Sequence, residues 1–298
     1  MHMLETHIVP HHVSRQRLSD YLCGVFSALP SRKGVKKAIL RGAIQVDGEP
    51  GQTGQWIEPG QRIELLDIPR KSGRVFTLKL EVIFEDDYLA VINKPAGFPV
   101  SGNQFKTIEN ALPHNLTPST LPDRLHWPTP VHRLDSLTSG LLLIGKTRQA
   151  QIEMSAQFEQ NTIIKTYQAI VIGTLPEAGV IQDPVDEKPA LTHFQRLKVV
   201  PSLESDTLSL VELQPKTGRT HQLRIHLARL GYPIQGDKLY AGNIRLLKGK
   251  GLFLCATGLA FKHPQSKEPL SYSIQPPNKF SLLLKRSEKR WHQFNHVR

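Results

Sequence analysis

The stretch HRLDSLTSGLLLIGK, residues 132–146, places an acidic residue shortly before an uninterrupted apolar run, Leu141–Ile144. The run predicts a buried β-strand over residues 140–146. A strand that begins just after an Arg-x-Asp turn buries its apolar residues and leaves the acid at the edge of the domain. Residues 138–140 can supply hydroxyls and backbone donors that fix such a loop. The pattern therefore predicts that Asp135 stands at the end of a core strand.

Further strands are predicted on both sides of this segment, with a single clear helix at Arg148–Gln160 among them. The predicted strands are Leu78–Phe84, Tyr88–Asn93, Gly140–Lys146, Lys165–Gly173 and Thr207–Gln214. Strands mixed irregularly with helices indicate an α+β domain with a mixed, largely antiparallel sheet, and not a repeat of βαβ units. Residues 103–129 carry four prolines and no clear periodicity, so they are predicted to be a long functional or mobile loop.

A smaller unit is predicted ahead of these strands. Apolar residues recur at helical spacing over 18–29, which predicts a helix that ends at Pro30. Ser31 is the predicted N-cap of a second helix that ends at Gly42, with Val35, Ile39 and Leu40 facing inward. A strand and tight turn are predicted at 43–48, and another short strand at 61–66.

The second helix carries a run of cations without an acid: Arg32, Lys33, Lys36, Lys37 and Arg41. Such a surface predicts a polyanionic partner. The alternative is a helix whose basic face is merely solvated.

Four segments follow from these patterns. Residues 1–14 are predicted to be an N-terminal tail, 15–70 the small domain, 75–285 the large domain and 286–298 a basic C-terminal tail. A polar, basic link at 69–74 joins the two domains.

Composition narrows the class of protein. The chain has 298 residues, with 38 Lys+Arg against 26 Asp+Glu, a net charge of 38 − 26 = +12. Only 21% of the residues are charged, which is typical of a folded protein and not of a disordered polyelectrolyte. No apolar run approaches the ~20 residues of a membrane span, and the first twelve residues lack a signal-peptide stretch. Two cysteines, Cys23 and Cys255, cannot form a disulfide framework, so a soluble, cytoplasmic protein is expected.

Two further segments combine polar side chains with apolar patterning. In KTYQAIVIG, residues 165–173, Tyr167 shares a strand face with two apolar residues. In KTGRTHQLR, residues 216–224, Thr220 is a predicted helix cap and Gly231 the predicted stop. Arg224 on that helix can reach inward toward a neighbouring acid. Taken singly, each of these residues has an ordinary structural explanation.

Taken together, these segments resemble the signature segments of the RluA-type pseudouridine synthases. The matching strings are HRLDSLTSG, KTYQAIVIG and KTGRTHQLRIHLARLGYPIQGDKLYAG, with INKPAGFPV at 92–100 and KPALTHF at 188–194 as accessory segments. The resemblance covers about residues 76–278. Residues 15–67 resemble the alpha-L RNA-binding module named after ribosomal protein S-four, which implies that the five cations of the second helix bind RNA. One departure is Leu254-Cys255-Ala256, where the family commonly has Leu-His-Ala.

The resemblance implies a pseudouridine synthase fold and an enzyme that isomerises uridine in structured RNA, ribosomal or transfer, with no metal or organic cofactor. It implies Asp135 as the catalytic carboxylate, acting with Tyr167 and Arg224. Whether the carboxylate attacks the anomeric carbon or removes a sugar proton stays open. The implied substrate-binding residues are Arg133, Arg219, His221 and Leu254. No protein partner is implied, and a monomer is the default expectation.

Three alternatives remain at the level of the sequence. The first is a non-catalytic RNA-binding or ribosome-assembly protein that retains the fold. The second is a glycosidase, which would require a second carboxyl group; the candidates are Glu85, Asp86 and Asp87. The third is a metal site at His11 and His12 near His7, which lacks a convincing set of ligands.

Overall fold

The computed structural model describes residues 2–26, 28–67, 74–244, 246–247 and 249–295, and for residues 2 and 67 the backbone alone. The chain divides into two compact units, residues 1–73 and 74–298. Most of the predicted link at 69–74 lies outside the described residues, as does the last part of the predicted C-terminal tail.

The first unit combines two helices with short strands. Its elements are β1 (His2–Ile8), β2 (Gln16–Arg17), α1 (Leu18–Tyr21), α2 (Arg32–Leu40), β3 (Ile44–Val46), β4 (Glu49–Pro50), β5 (Trp56–Ile57) and β6 (Arg62–Asp67). Four of the strands form a sheet in the order β1-β6-β3-β4, and β2 pairs with β5. The predicted N-terminal tail is wrong, because β1 pairs antiparallel with β6 and Val9 is buried.

The prediction of α2 is confirmed at both ends. The Ser31 hydroxyl accepts a hydrogen bond from the Gly34 N–H at 3.2 Å, and Gly42 follows the helix with φ +74°. Leu40 was expected to face inward, but it is 80% exposed. Its side chain falls on the same surface as the neighbouring lysines, because it lies about 100° round the helix from buried Ile39.

The predicted first helix is much shorter than its apolar pattern suggested. It covers four residues, because Gly24 adopts φ +81° and donates its N–H to the Leu29 carbonyl at 3.1 Å. The apolar residues beyond the break, including Phe26 and Leu29, are nevertheless buried in the core of the unit.

The second unit is built on one ten-stranded sheet. Its elements are β7 (Glu81–Glu85), β8 (Leu89–Lys94), α3 (Ile108–Asn115), β9 (Arg124–Pro130), β10 (Ser139–Thr147), α4 (Arg148–Glu159), β11 (Ile164–Ile172), β12 (Ala178–Ile181), β13 (Thr192–Ser202), β14 (Asp206–Pro215), α5 (Gln222–Arg229), β15 (Leu254–Lys262), β16 (Pro269–Ser273) and α6 (Lys279–Asn295). The strand order is β12-β13-β14-β11-β15-β10-β8-β7, with β16 on β15 and β9 on β10. The α+β prediction with a largely antiparallel sheet is confirmed.

Strand β10 runs through the middle of this sheet and is buried along its whole length. Leu142 and Ile144 pack into a core cluster with α3, whereas Leu141 and Leu143 pack with Met154 of α4 into another. The apolar run is continuous because both faces of the strand are covered.

The start of β10 is the one place where described strands pair in parallel. There Gly140 lies beside Ala256 of β15. Gly140 has φ +115°, and a Cβ atom on it would lie 2.2 Å from the Ala256 carbonyl oxygen. Glycine is therefore required where the strand leaves the turn that carries Asp135.

The predicted loop at 103–129 is wrong, since it contains α3 and β9. The Thr107 hydroxyl caps α3 by accepting the Asn110 N–H at 3.1 Å. Pro113 lies inside the helix, where it lacks the N–H that would bond the Glu109 carbonyl. The Trp127 indole N–H donates to that same carbonyl at 2.7 Å. A contact distant along the chain thus satisfies the carbonyl, and a helix forms despite the proline.

The C-terminal tail prediction is also wrong through residue 295, because these residues belong to α6. Phe280 and Leu284 are buried in the core of the sheet. The Glu288 carboxylate forms a salt bridge with the Lys198 ammonium of β13, with Oε2 and Nζ 3.3 Å apart. In the described ranges, no helix is both long and apolar enough to cross a bilayer.

Substitution of Gly140 by alanine is expected to destabilise the second unit by about 3 kcal/mol or more, from backbone strain and overpacking together. Urea unfolding of the full chain measures the change. The control is Gly218→Ala, where an added Cβ meets nothing within 4 Å. Equal stabilities of the two variants would contradict the close approach of β10 and β15.

Candidate active site

The residues predicted to act on the substrate line one cavity of about 580 Å³. This cavity contains all three predicted catalytic residues, Asp135, Tyr167 and Arg224. The four predicted substrate-binding residues line it too: Arg133, Arg219, His221 and Leu254. Its size is typical of a site for a small ligand.

Asp135 lies in a turn that hydrogen bonds hold against the sheet. The Asp135 carbonyl accepts the Thr138 N–H at 3.1 Å. Beneath the turn, the buried Lys94 ammonium donates to the carbonyls of Pro95, Ser136 and Thr138 at 3.0, 3.1 and 2.7 Å. Burial lowers the pKa of Lys94 to about 8, although the charge of Asp135 acts in the opposite direction. The ammonium therefore holds the turn that presents the carboxylate.

Arg224 connects the predicted catalytic acid to a second acid that the sequence did not single out. Its Nε and Nη2 donate to the two carboxylate oxygens of Asp237 at 2.7 and 2.8 Å. Its remaining arm, Nη1, donates to Asp135 Oδ2 at 3.3 Å. Both Arg224 and Asp237 are buried, so the fork-to-fork pair fixes the direction of the guanidinium.

His221 approaches Asp135 from the other side, with Nε2 3.6 Å from Oδ1. Its Nδ1 shares a hydrogen bond of 2.8 Å with the Tyr240 hydroxyl. His221 has φ +56° and is the N-cap of α5, without a side-chain capping bond. The expectation that Thr220 caps this helix is wrong, whereas the predicted stop at Gly231 (φ +91°) is confirmed. A left-handed non-glycine residue is strained, and such strain is common at functional sites.

Tyr167 forms the apolar wall of the cavity next to Leu254. Burial raises the pKa of Tyr167 well above its usual value, and the charges of Asp135 and Cys255 act in the same direction. The phenol therefore stays protonated. A partly buried aromatic ring beside a carboxylate suits a planar, uncharged base.

The family model for RNA pseudouridylate synthase matches residues 88–229 of this chain. An uncharacterized RNA pseudouridine synthase of Chloroflexus aurantiacus is 34% identical, over 95% of this chain and 93% of its own length. A ribosomal large subunit pseudouridine synthase D of Pseudomonas aeruginosa is 31% identical, over 80% of this chain and 78% of its own. The solved structure of human RNA pseudouridylate synthase domain containing 4 is 26% identical and has a TM-score of 0.54, covering 67% of this chain and 90% of that one.

The chain belongs to the RNA pseudouridylate synthase family. It is therefore an isomerase that acts on RNA, as the resemblance of its motifs implied. The fold of the second unit is the pseudouridine synthase fold.

The family departure at Cys255 lies outside the cavity in this synthase. Cys255 is fully buried and does not line the cavity. It pairs with Ser139 where β10 and β15 run parallel. Burial raises the pKa of its thiol, while a hydrogen bond to Ser139 acts in the opposite direction. Cys255 thus packs behind Leu254, which lines the cavity.

The sequence reasoning missed three residues of the site, namely Lys94, Asp237 and Tyr240. All three lie inside segments that carry the family resemblance, INKPAGFPV and GDKLYAG. No periodicity marks them, because their partners are distant along the chain. A search for an acid that could neutralise Arg224 would have pointed to Asp237.

The predicted RNA-binding cations belong to the first unit, where all five are exposed on or just after α2. Arg32 is paired with Asp20 at 2.5 Å. The predicted metal ligand His7 lies in β1 and shares a hydrogen bond of 2.6 Å with the Tyr21 hydroxyl. Among described residues, no group of three or more His, Cys, Asp or Glu is placed to hold a metal.

His132, next to Arg133, supports the site as a neutral ring. Its Nε2 accepts the Leu143 N–H at 3.0 Å, and it stacks on Phe158 with ring centroids 4.5 Å apart. Burial, and then the charge of Lys165, lower the pKa of His132 to about 3.

Acidification is expected to destabilise the synthase through His132. The unfolded chain takes up a proton near pH 6.5 and the folded chain only near pH 3, so stability is lost as the pH falls through this window. From pH 7 to pH 5 the loss is about 2 kcal/mol. His132→Gln keeps an acceptor that does not titrate and should reduce this loss in urea unfolding at each pH. An unchanged pH dependence in the variant would contradict the assignment.

Proposed function

We propose that the chain converts uridine to pseudouridine in large-subunit ribosomal RNA, with Asp135 as the catalytic carboxylate. The observation that carries the proposal is the convergence of Asp135, Tyr167 and Arg224 on one cavity. These residues come from a turn, a strand and a helix that are separated in sequence.

The reaction exchanges one bond for another within a single nucleotide. The bond from N1 of uracil to C1′ of ribose breaks, the base turns, and a bond from C5 to C1′ forms. C5 then loses its proton and N1 gains one, so the product is an isomer and no electrons are transferred. The chemistry requires one group that acts on the sugar and a site that holds the detached base.

Asp135 suits the first requirement. It faces Arg224, whose other donors are occupied by Asp237, so one guanidinium arm is left for the reacting carboxylate. An adjacent cation favours the ionised form of an acid, which both nucleophilic attack and proton abstraction require. The geometry is compatible with either route.

Tyr167 and Arg133 suit the second requirement. A base in folded RNA must be extruded, at a cost of a few kcal/mol, and stacking on an aromatic ring recovers about 1–3 kcal/mol. Arg133 is exposed at the rim of the same cavity. From there its guanidinium can enter the position that the extruded base vacates.

The name of a relative favours a ribosomal RNA, whereas the basic surface of α2 favours any structured RNA. The Pseudomonas aeruginosa relative is named for the large ribosomal subunit. The exposed cations of α2 provide a second surface that attracts phosphates without reading sequence. Transfer RNA is the alternative substrate that the assay below separates.

The other sequence-level alternatives receive less support. A protein that only binds RNA needs no buried Arg224–Asp237 pair aimed at an acid. The proposed second carboxylates of a glycosidase are engaged elsewhere: Glu85 with Lys146, Asp86 with His263 and Asp87 with Thr120. Asp86 also accepts two backbone N–H groups, as expected of a strand-end turn.

Asp135→Asn is expected to abolish product formation, because the amide can neither attack the sugar nor act as a base, while RNA affinity stays within a few-fold. The assay measures tritium released from RNA labelled at C5 of uridine, with large-subunit ribosomal RNA and transfer RNA as separate substrates. Glu159→Gln removes the other carboxylate of the cavity and should lower the rate far less. Equal losses in the two variants would favour a two-carboxylate mechanism, and release from neither RNA by the wild type would contradict the proposed function.

Charge reversal of Lys36 and Lys37 to glutamate is expected to weaken RNA binding and flatten its salt dependence. Removing two phosphate contacts lowers the slope of log K against log salt by about 1.4–1.8. The control reverses Lys262 and Lys267, which are exposed at the far end of β15 and beyond it. An unchanged slope in the α2 variant would exclude this helix from the RNA interface.

A further inference from the structure

Lys165 is a cation of the catalytic cavity that has no counter-ion in the part of the chain that the structure describes. It lines the cavity with Asp135 and Tyr167. Its ammonium makes no hydrogen bond and no ion pair with described residues. Burial, and then the charge of Lys216, lower the pKa of Lys165. A desolvated cation without a counter-ion is unfavourable until an anion approaches it.

The carboxylates of the cavity do not supply that anion. Asp135 is engaged by Arg224 at 3.3 Å. Glu159 also lines the cavity, but it is exposed and makes no ion pair with Lys165. A molecule that enters the cavity can therefore supply the counter-ion that the described residues do not.

The position of Lys165 indicates which part of a nucleotide it meets. Lys165 and Tyr167 are alternate residues of β11, and alternate residues are about 6.7 Å apart along a strand. A base stacked on Tyr167, with its ribose near Asp135, therefore directs a neighbouring phosphate along the strand toward Lys165. The ammonium is a compact point charge with three donors, which suits phosphate oxygens.

We infer that Lys165 forms a phosphate-binding subsite for the backbone of the target nucleotide. This inference rests on the proposed function, because it takes the occupant of the cavity to be a uridine nucleotide. The subsite holds the sugar in register with Asp135 and takes no part in breaking or forming bonds.

The first experiment separates substrate binding from chemistry. Lys165→Gln should raise KM for large-subunit ribosomal RNA about tenfold, as expected for a lost charged hydrogen bond. kcat should stay within about threefold, since no transition-state contact is removed. The slope of log kcat/KM against log salt should fall by about 0.7–1. Lys165→Arg keeps the charge and should restore the slope.

The matched control is Lys267→Gln, a surface lysine whose charge is already paired with Glu153 at 2.9 Å. It changes the net charge by the same amount and should leave KM and the salt slope unchanged. Identical behaviour of the two glutamine variants would overturn the inference. So would a loss confined to kcat in Lys165→Gln. In either case an active wild type would leave the proposed function intact.

The second experiment needs no turnover. Binding of uridine, uridine 5′-monophosphate and uridine 3′-monophosphate is measured by NMR titration of the full chain. The wild type should prefer one monophosphate over the nucleoside, which assigns the phosphate to the 5′ or the 3′ side, and Lys165→Gln should lose that preference. Equal binding of all three ligands to the wild type, or a preference that survives in Lys165→Gln, would overturn the subsite.

Discussion

The guanidinium of Arg224 lies between the carboxylates of Asp237 and Asp135. The arrangement of the cavity follows from which of its N–H donors each carboxylate receives. Asp237 takes two of them in a buried, bidentate pair, and one is left for Asp135. Asp237 Oδ1 also accepts the N–H groups of Leu239 and Tyr240 at 3.0 and 3.3 Å. Tyr240 in turn holds His221 beside Asp135. Because a buried charge is tolerated only when it is paired, Asp237 sets the orientation of this whole side of the cavity.

On the opposite side of the cavity, the position of Asp135 depends on the sheet. Asp135 sits at the turn that enters β10, where Gly140 passes against Ala256 at a distance that only glycine allows. Lys94, at the end of the neighbouring strand β8, binds the carbonyls of the same turn. Parallel pairing at this point brings the start of β10 beside the start of β15, and so places the turn near Leu254 and Tyr167. The backbone of the turn is thus held from two strands, and the carboxylate is left facing the cavity.

Local patterns predicted the elements whose ends are marked in their own sequence. The strand after Asp135 was found because its apolar run is unbroken, and α2 because Ser31 and Gly42 mark its ends. Where distant contacts decide, the same patterns failed. Pro113 argued against a helix, yet the Trp127 indole satisfies the carbonyl that the proline leaves free. The N-terminal residues looked like a tail, since nothing in their own sequence shows the strand β6 with which they pair.

The sequence alone determined the family, the fold class and seven of the residues that line the cavity, because short motifs carry that information. The tertiary structure alone decided how those residues share their charges. The buried partner of Arg224 is Asp237, thirteen residues along the chain, while the partner of Asp135 is Arg224, eighty-nine residues along the chain. Lys165 has no ion-pair partner in the described chain, because Asp135 is paired with Arg224 and Glu159 of the same cavity does not pair with Lys165. Electrostatic pairing depends on distance in space, and spacing along the chain does not report that distance.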